Sequence, residues 1–297
     1  PLVIEGLRDL GHRVIASDCG NGIKKSYSDE EIVSHAKNAD YIFVLWGKVR
    51  GNRPPKYYLL DRINRPEITA YVDGSEWTCT GYCDRDKKII APWSHGDKIS
   101  LQMYEAKLDP SRCKGNPWIN EKMFSYCNWY VGCLKQYFGN FKNIEKDIDI
   151  FCSYGHLYTG LRFETYEICK KLSDEGYNVV FSNKMDHEKY LKTIARSRIS
   201  VSAWGAGNSC MRLWESMANK TLCFRQKTQI LFPNEPEDGK HCVVYETPEE
   251  FEKKIRHYLK INEECVRIGL EGYNHVLKYH TGIPKVLSML ETMSKGR

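Results

Sequence analysis

The feature that most constrains this chain is an alternation of short apolar runs of β type with longer amphipathic stretches of helical period. Strands separated by helices pair in parallel, because a parallel partner requires a crossover connection of that length. The expected fold class is therefore α/β. Residues 1–10 read as a helix with Pro1 at its start, 12–16 as a strand, 29–38 as a helix, 41–45 as a strand, 57–63 as a helix and 68–72 as a strand. A doubly wound domain normally opens on a strand, so the numbering is expected to begin after a missing first strand. Residues 77–140, rich in Trp, Tyr and Cys, read as irregular. A second unit starts near Ile144, with strands at 148–153, 178–181, 199–203, 221–224 and 241–245. Its helices are expected at 160–172, 187–195, 211–218, 248–259 and 284–293. The layout predicts two Rossmann-like domains, 1–143 and 144–297.

Composition bounds the partners. No stretch of the 297 residues approaches the roughly 20 apolar positions that a membrane-spanning helix needs. The start of the chain also lacks a charged region followed by an apolar signal segment, so a cytoplasmic protein is expected. Twelve cysteines in apolar settings such as Ile150-Phe151-Cys152 read as reduced, buried thiols. Cys79 and Cys83 lack the second pair that a zinc site needs. A net charge of +6, without a Lys/Arg block, suits an anionic small molecule and permits a nucleic-acid partner without demanding one.

The most informative stretch runs from Ser197 to Ala218: an apolar strand, a Gly-bearing turn and a helix. Amides at such a helix start point outward without partners, and the helix dipole favours an anion there. Gly205 and Gly207 carry no Cβ, which lets a ligand approach the backbone closely. Arg212 and Glu215, three apart, share one helical face. An arginine fork suits phosphate oxygens, and a carboxylate one turn further suits paired ribose hydroxyls. On the residues alone, an ordinary helical ion pair explains Arg212 and Glu215 equally well.

These residues resemble the donor-binding half of GT-B glycosyltransferases, in particular the CgeB-like, glycosyl transferase group 1 branch. The features in common are the strand opening Ser197-Arg198-Ile199, the glycine loop, and Arg212-Leu213-Trp214-Glu215-Ser216-Met217-Ala218. They extend to the strand Asp149-Ile150-Phe151-Cys152-Ser153 with Arg162 on the next helix, to Pro248-Glu249-Glu250-Phe251, and to His280-Thr281. The resemblance implies two domains facing a cleft, with a C-terminal helix crossing back to the first. Glu215 would then grip the ribose, while Gly205, Gly207, Asn208, Ser209, Cys210, Met211 and Arg212 hold the diphosphate. Arg162 would face the phosphates from across the site. Ser153, Tyr154 and Gly155 would line the first strand end, and Lys184 would lie in the loop near the base. Broader GT-B families carry a Glu eight residues before the ribose Glu; here that position is Gly207.

Asp73 and Glu76, in Asp73-Gly74-Ser75-Glu76, stand at a strand's C-terminal end and resemble the Asp-Gly-Glu-Asp-like turn of the same branch. They are candidates to act as base or to orient an acceptor hydroxyl, although Asp-Gly is also a routine turn. His95 is a further loop candidate. The strings Asp147-Ile148-Asp149 and Asp84-Arg85-Asp86 read as chance acidic pairs, and no metal or other cofactor is expected. The aromatic run Trp118, Phe124, Tyr126, Trp129, Tyr130, Tyr137 and Phe138 reads first as packing.

The expected activity is transfer of a sugar from a UDP- or GDP-type donor to a glycan, protein or modified DNA base, retaining and metal-independent. A phage or viral origin fits the basic, aromatic-rich composition. A non-catalytic nucleotide- or glycan-binding module is the competing class. A nicotinamide oxidoreductase is excluded, since no Gly-x-Gly-x-x-Gly follows an early strand.

Overall fold

In a parallel sheet with helices on both faces, strands are buried on either side and read as nearly continuous apolar runs. Residues 148–152, Ile-Asp-Ile-Phe-Cys, are such a run, with Ile150 and Phe151 fully buried. The computed structural model describes residues 2–16, 27–47, 58–74, 82–83, 89–90, 101–104, 107–108, 132–139, 141, 144–157, 160–182, 185–205, 210–228, 230–231 and 234–295. Contacts divide the chain into one unit of Pro1–Val131, Gln229–Pro233 and Gly282–Arg297, and another of Gly132–Thr228 and Asn234–Thr281.

The elements follow in chain order: α1 (Leu2–Asp9), α2 (Asp29–Lys37), β1 (Ile42–Gly47), α3 (Leu59–Ile63), β2 (Thr69–Gly74), β3 (Tyr82–Cys83), β4 (Ile89–Ile90), β5 (Leu101–Tyr104) and β6 (Lys107–Leu108). Then come β7 (Ile148–Cys152), α4 (Leu161–Asp174), β8 (Val179–Phe181), α5 (His187–Arg196), β9 (Ser197–Ser202), α6 (Met211–Ala218) and β10 (Leu222–Gln226). The chain closes with β11 (Ile230–Leu231), β12 (Val243–Tyr245), α7 (Pro248–Lys260), α8 (Asn262–Tyr279) and α9 (Gly282–Lys295).

In the first unit, β1, β2 and β5 form a parallel sheet in that order. Helix α2 starts on a capping box, in which Ser28 accepts from the Glu31 amide at 3.2 Å and Glu31 accepts from the Ser28 amide at 2.8 Å. Val3 and Leu7 of α1 pack with Ala70 of β2 and with Val286, Met289 and Met293 of α9.

Two expectations are corrected here. Residues 12–16 are described but join no strand; Val14 instead packs against the α1 and α9 cluster, so its side chain is covered without a ladder. Within the stretch expected to be irregular, β5 is a sheet strand. Its apolar alternation, Leu101 and Met103, is too short to stand out from its surroundings.

The second unit holds a five-stranded sheet in the order β12-β10-β9-β7-β8, every pair parallel. Its core joins Ile150, Ile199, Val201, Leu222, Phe224 and Tyr245 from the strands to Phe251, Ile255 and Ile268 from α7 and α8. Helix α7 starts as its sequence predicts, with Thr247 accepting from the Glu250 amide at 3.2 Å and Pro248 in the first turn. Helix α8 was not expected. Its buried face is Cys265, Ile268, Gly269, Gly272, His275 and Val276, while Val266, Leu270 and Leu277 stand exposed, which blurs the apolar period. A Cβ on Gly269 would lie 2.6 Å from the Lys220 carbonyl oxygen, and one on Gly272 would lie 2.6 Å from that of His241. The two glycines let α8 lie directly on backbone.

The N-terminal end of this sheet is pinned by charge. The Lys146 ammonium donates to the carbonyl oxygens of Ala195 and Ser197 (3.0 and 2.8 Å) and to Thr221 Oγ1 (3.1 Å). Beside it, Asp147 pairs with Arg196, and Asp149 pairs with Arg198 at 2.8 Å. Among the described residues, no helix is long and apolar enough to cross a membrane.

Gly272→Ala gains helix propensity of about 1 kcal/mol, but the added methyl must displace backbone. Overpacking of that kind typically costs about 1–3 kcal/mol. The variant should unfold at lower urea concentration, as read by circular dichroism, and an unchanged midpoint would contradict the packing described.

Burial lowers the Lys146 pKa to about 8. Between that value and the ordinary lysine range, the unfolded chain binds more protons than the folded one, so this group's contribution to stability rises with pH. Below about pH 8 its contribution is level. The unaltered protein should therefore gain stability relative to Lys146→Met from pH 8 to pH 10, measured by paired urea titrations.

Candidate functional site

In an open α/β sheet, a ligand crevice lies outside the carboxyl ends of two neighbouring strands whose crossovers run in opposite directions. In the second unit that pair is β7 and β9: the chain leaves β7 for β8 on one side and returns to β9 on the other. The segments that follow their C-terminal ends are Ser153-Tyr154-Gly155 and Ala203-Trp204-Gly205. The predicted donor residues thus stand at the switch point.

Tyr154 is 5% exposed, and its hydroxyl lies 3.0 Å from Thr165 Oγ1. Two guanidinium groups lie over its ring, that of Arg162 at 4.9 Å from the centroid and that of Arg212 at 5.4 Å. A cation over an aromatic face is attracted by the ring's quadrupole, more strongly where water is excluded. Arg162 comes from the first turn of α4 and donates to the carbonyl oxygens of His156 (3.1 Å) and Ala203 (3.0 Å). Gly205 passes close beside it; a Cβ there would be 3.1 Å from Arg162 Nη2.

Arg212, in the first turn of α6, donates to the Val201 carbonyl at 3.2 Å. Its Nε donates to the Tyr190 hydroxyl at 3.1 Å, and that hydroxyl donates to Glu215 Oε2 at 2.8 Å. Arg212 and Glu215 are therefore joined through a third residue. Burial pushes the Glu215 carboxyl above its ordinary range, while the Tyr190 hydrogen bond and the Arg212 charge pull it back. Tyr190 itself, on α5, is raised by burial. Its ring meets Phe151 edge to face at 5.5 Å.

The remaining predicted residues are placed as follows. Ser153 is buried and donates to the Ser182 carbonyl, which ties the ends of β7 and β8 together. Gly155 is exposed in open space. Cys210 and Met211 are half-buried at the start of α6, where no side chain caps the helix. Asp73 is the penultimate residue of β2 in the first unit, in register with Trp46 and Tyr104. Glu76, His95, Lys184, Gly207, Asn208, Ser209, Cys79 and the Asp84-Arg85-Asp86 string lie outside the described residues. So do Trp118, Phe124, Tyr126, Trp129 and Tyr130, whereas Tyr137 is buried and packs on His187.

Asp147 and Asp149, each paired with an arginine, sit at the N-terminal end of the sheet, opposite the switch point. Tyr190 is the residue that sequence reasoning missed. It shares a helix face with Leu191 and Ile194, and an aromatic residue on such a face reads as core.

A family model described as glycosyl transferase-like matches residues 142–290, half of the chain. The sequence matches none of the curated proteins. Among solved structures, TarM aligns with 80% of this chain at 9% identity and a TM-score of 0.49, and the chain spans 57% of TarM's length. An alpha-glucosyltransferase in complex with UDP-glucose and DNA containing an abasic site aligns at a TM-score of 0.57 and 7% identity, over 90% of this chain and 83% of that one. A glycosyltransferase from Rickettsia africae ESF-5 aligns at 0.57 and 10% identity, over 99% and 87%. The likeness to the latter two, at such identities, speaks for the fold, two Rossmann-like units of the GT-B class. The matched family model, together with that fold, shows that this chain belongs to the glycosyl transferase-like family.

Proposed function

We propose that the chain transfers a sugar from a nucleoside diphosphate donor to a hydroxyl acceptor. The observation that carries this reading is the pairing of two guanidinium groups over Tyr154 with a ribose-compatible carboxylate, Glu215, at the switch point of the sheet. UDP is the first donor to try, because the alpha-glucosyltransferase of like fold was solved with UDP-glucose.

In this proposal, Arg212 and the first-turn amides of α6 receive the diphosphate, and Arg162 adds charge from α4. As the glycosidic bond breaks, negative charge grows on the departing diphosphate, and preorganised cations stabilise it most at that moment. Hydrogen bonds to charged groups contribute about 1.5–3 kcal/mol each. Gly205, Gly207, Asn208, Ser209, Cys210 and Met211 are proposed to receive the diphosphate. Ser153, Tyr154 and Gly155 are proposed to line the donor site, and Lys184 to meet the base. Asp73 and Glu76 are proposed to orient the acceptor hydroxyl.

Metal independence belongs to the same proposal, since the arginines supply the charge a divalent ion would bring. Retention of configuration belongs to it by family resemblance. Among acceptors, a modified base in DNA has one specific support: the alpha-glucosyltransferase was solved with DNA. The net charge of +6 is compatible with it. Gly207, standing where related enzymes carry Glu, favours the second reading, a scaffold that binds donor without turning it over.

Thermal denaturation in the presence of UDP, GDP and ADP should show a rise in melting temperature for at least one of them, since a ligand of the native state stabilises by mass action. Arg212→Ala and Glu215→Ala should each bind that nucleotide about ten-fold or more weakly while retaining the parent's circular dichroism. Parental affinity in both variants would overturn the site. Release of free sugar or transfer from the matching donor separates enzyme from binding scaffold.

A further inference from the structure

The Tyr190 hydroxyl occupies the point where the side chains of Arg212 and Glu215 converge. It accepts from Arg212 Nε at 3.1 Å and donates its own proton to Glu215 Oε2 at 2.8 Å. A hydroxyl has one proton and two lone pairs, so this arrangement uses it in a single orientation. Its ring is fixed independently by the edge-to-face contact with Phe151 of β7, at 5.5 Å. The other fixed point on Arg212 is the Val201 carbonyl, at 3.2 Å. Among the described residues, Arg212 Nη2 and Glu215 Oε1 take no protein partner. The relay thus occupies one end of each charged group and leaves the other available. Joined directly, the two residues would neutralise each other and close the site.

From this geometry we infer that Tyr190 is a positioning residue for donor binding, holding Arg212 toward the diphosphate and Glu215 toward the ribose while keeping the two from pairing. The inference rests on the proposed reading of the site as a nucleoside diphosphate pocket. The groups facing Glu215 are Tyr190 and His187 from α5 and Arg212 from its own helix. The Tyr190 hydrogen bond favours the ionised carboxylate, the form that accepts ribose hydroxyls. Without that hydrogen bond the carboxyl holds its proton to higher pH, and the acid limb of nucleotide binding must move up the pH scale.

The experiment is calorimetric titration of UDP into the full chain, Tyr190→Phe, Glu215→Gln and the double variant, each across pH 5 to 8. The phenylalanine keeps the ring and loses only the hydroxyl. Expected are affinity about ten-fold weaker than the parent for Tyr190→Phe, an acid limb displaced to higher pH, and a double variant less impaired than the product of the two singles, because both act through one contact. A purely structural tyrosine would give neither the displaced limb nor the coupling, and Tyr190→Phe binding with parental affinity and pH profile would overturn the inference. Should that variant fail to fold, Arg212→Lys serves: it keeps the charge but lacks Nε. Its affinity should fall as far as that of Arg212→Ala, and parental binding by it would equally overturn the inference. Failure of the unaltered chain to bind UDP, GDP or ADP sinks the donor-pocket reading itself, a different outcome from binding that is indifferent to Tyr190.

Discussion

Two guanidinium groups lie over the ring of one buried tyrosine, and the strand ends of the second unit supply the contacts that hold them there. Taking charged groups out of water is costly unless they find partners. Tyr154 offers its ring to both. The strand ends offer carbonyl oxygens: Ala203 and His156 to Arg162, Val201 to Arg212. None of these partners carries a full negative charge. The nearest carboxylate in the Arg212 network is held off by a hydroxyl. Among the described residues, the Arg212 charge thus meets no carboxylate directly, which suits an anion site.

The two ends of the same sheet handle charge in opposite ways. At the N-terminal end, carboxylates meet arginines directly, and a buried ammonium is surrounded by oxygen acceptors. The Asp147–Arg196 pair is exposed and contributes little to stability, whereas Lys146 and Arg198 are largely covered and fix strand starts in place. At the C-terminal end, Arg162 and Arg212 donate to backbone carbonyl oxygens, and Arg212 reaches Glu215 through the Tyr190 hydroxyl. A parallel sheet makes this division natural, because all strand carbonyl ends and all helix starts gather on one side.

Much of the second unit was legible in the sequence. Its strands are nearly continuous apolar runs, its helices carry caps such as Asp186 and Thr247, and α6 has the bounds its period predicts. The elements that escaped did so for identifiable reasons. Residues 12–16 satisfy a strand pattern but join no ladder; of them, Val14 packs against the α1 and α9 cluster. Strand β5 is too short to announce itself. Helix α8 owes its buried face to glycines, whose value lies in the backbone they admit, and no apolar count registers that. In the site, Arg212 and Glu215 were visible because their types and spacing suit phosphates and a pentose, and Arg162 through the family resemblance. Tyr190 was not, since its role depends on the separation of two other side chains.

The amino-acid order by itself determined the alternation of strand and helix, the parallel pairing that alternation requires, and the helix start on which Arg212 and Glu215 are displayed. Those properties depend on neighbours along the chain, through period, capping and crossover length. Tertiary structure alone decided that β7 and β9 are adjacent, that Arg162 and Arg212 meet over Tyr154, and that Tyr190 stands between Arg212 and Glu215. These are distances between residues far apart in sequence, set by how close-packed helices settle on a twisted sheet, and no local pattern encodes them.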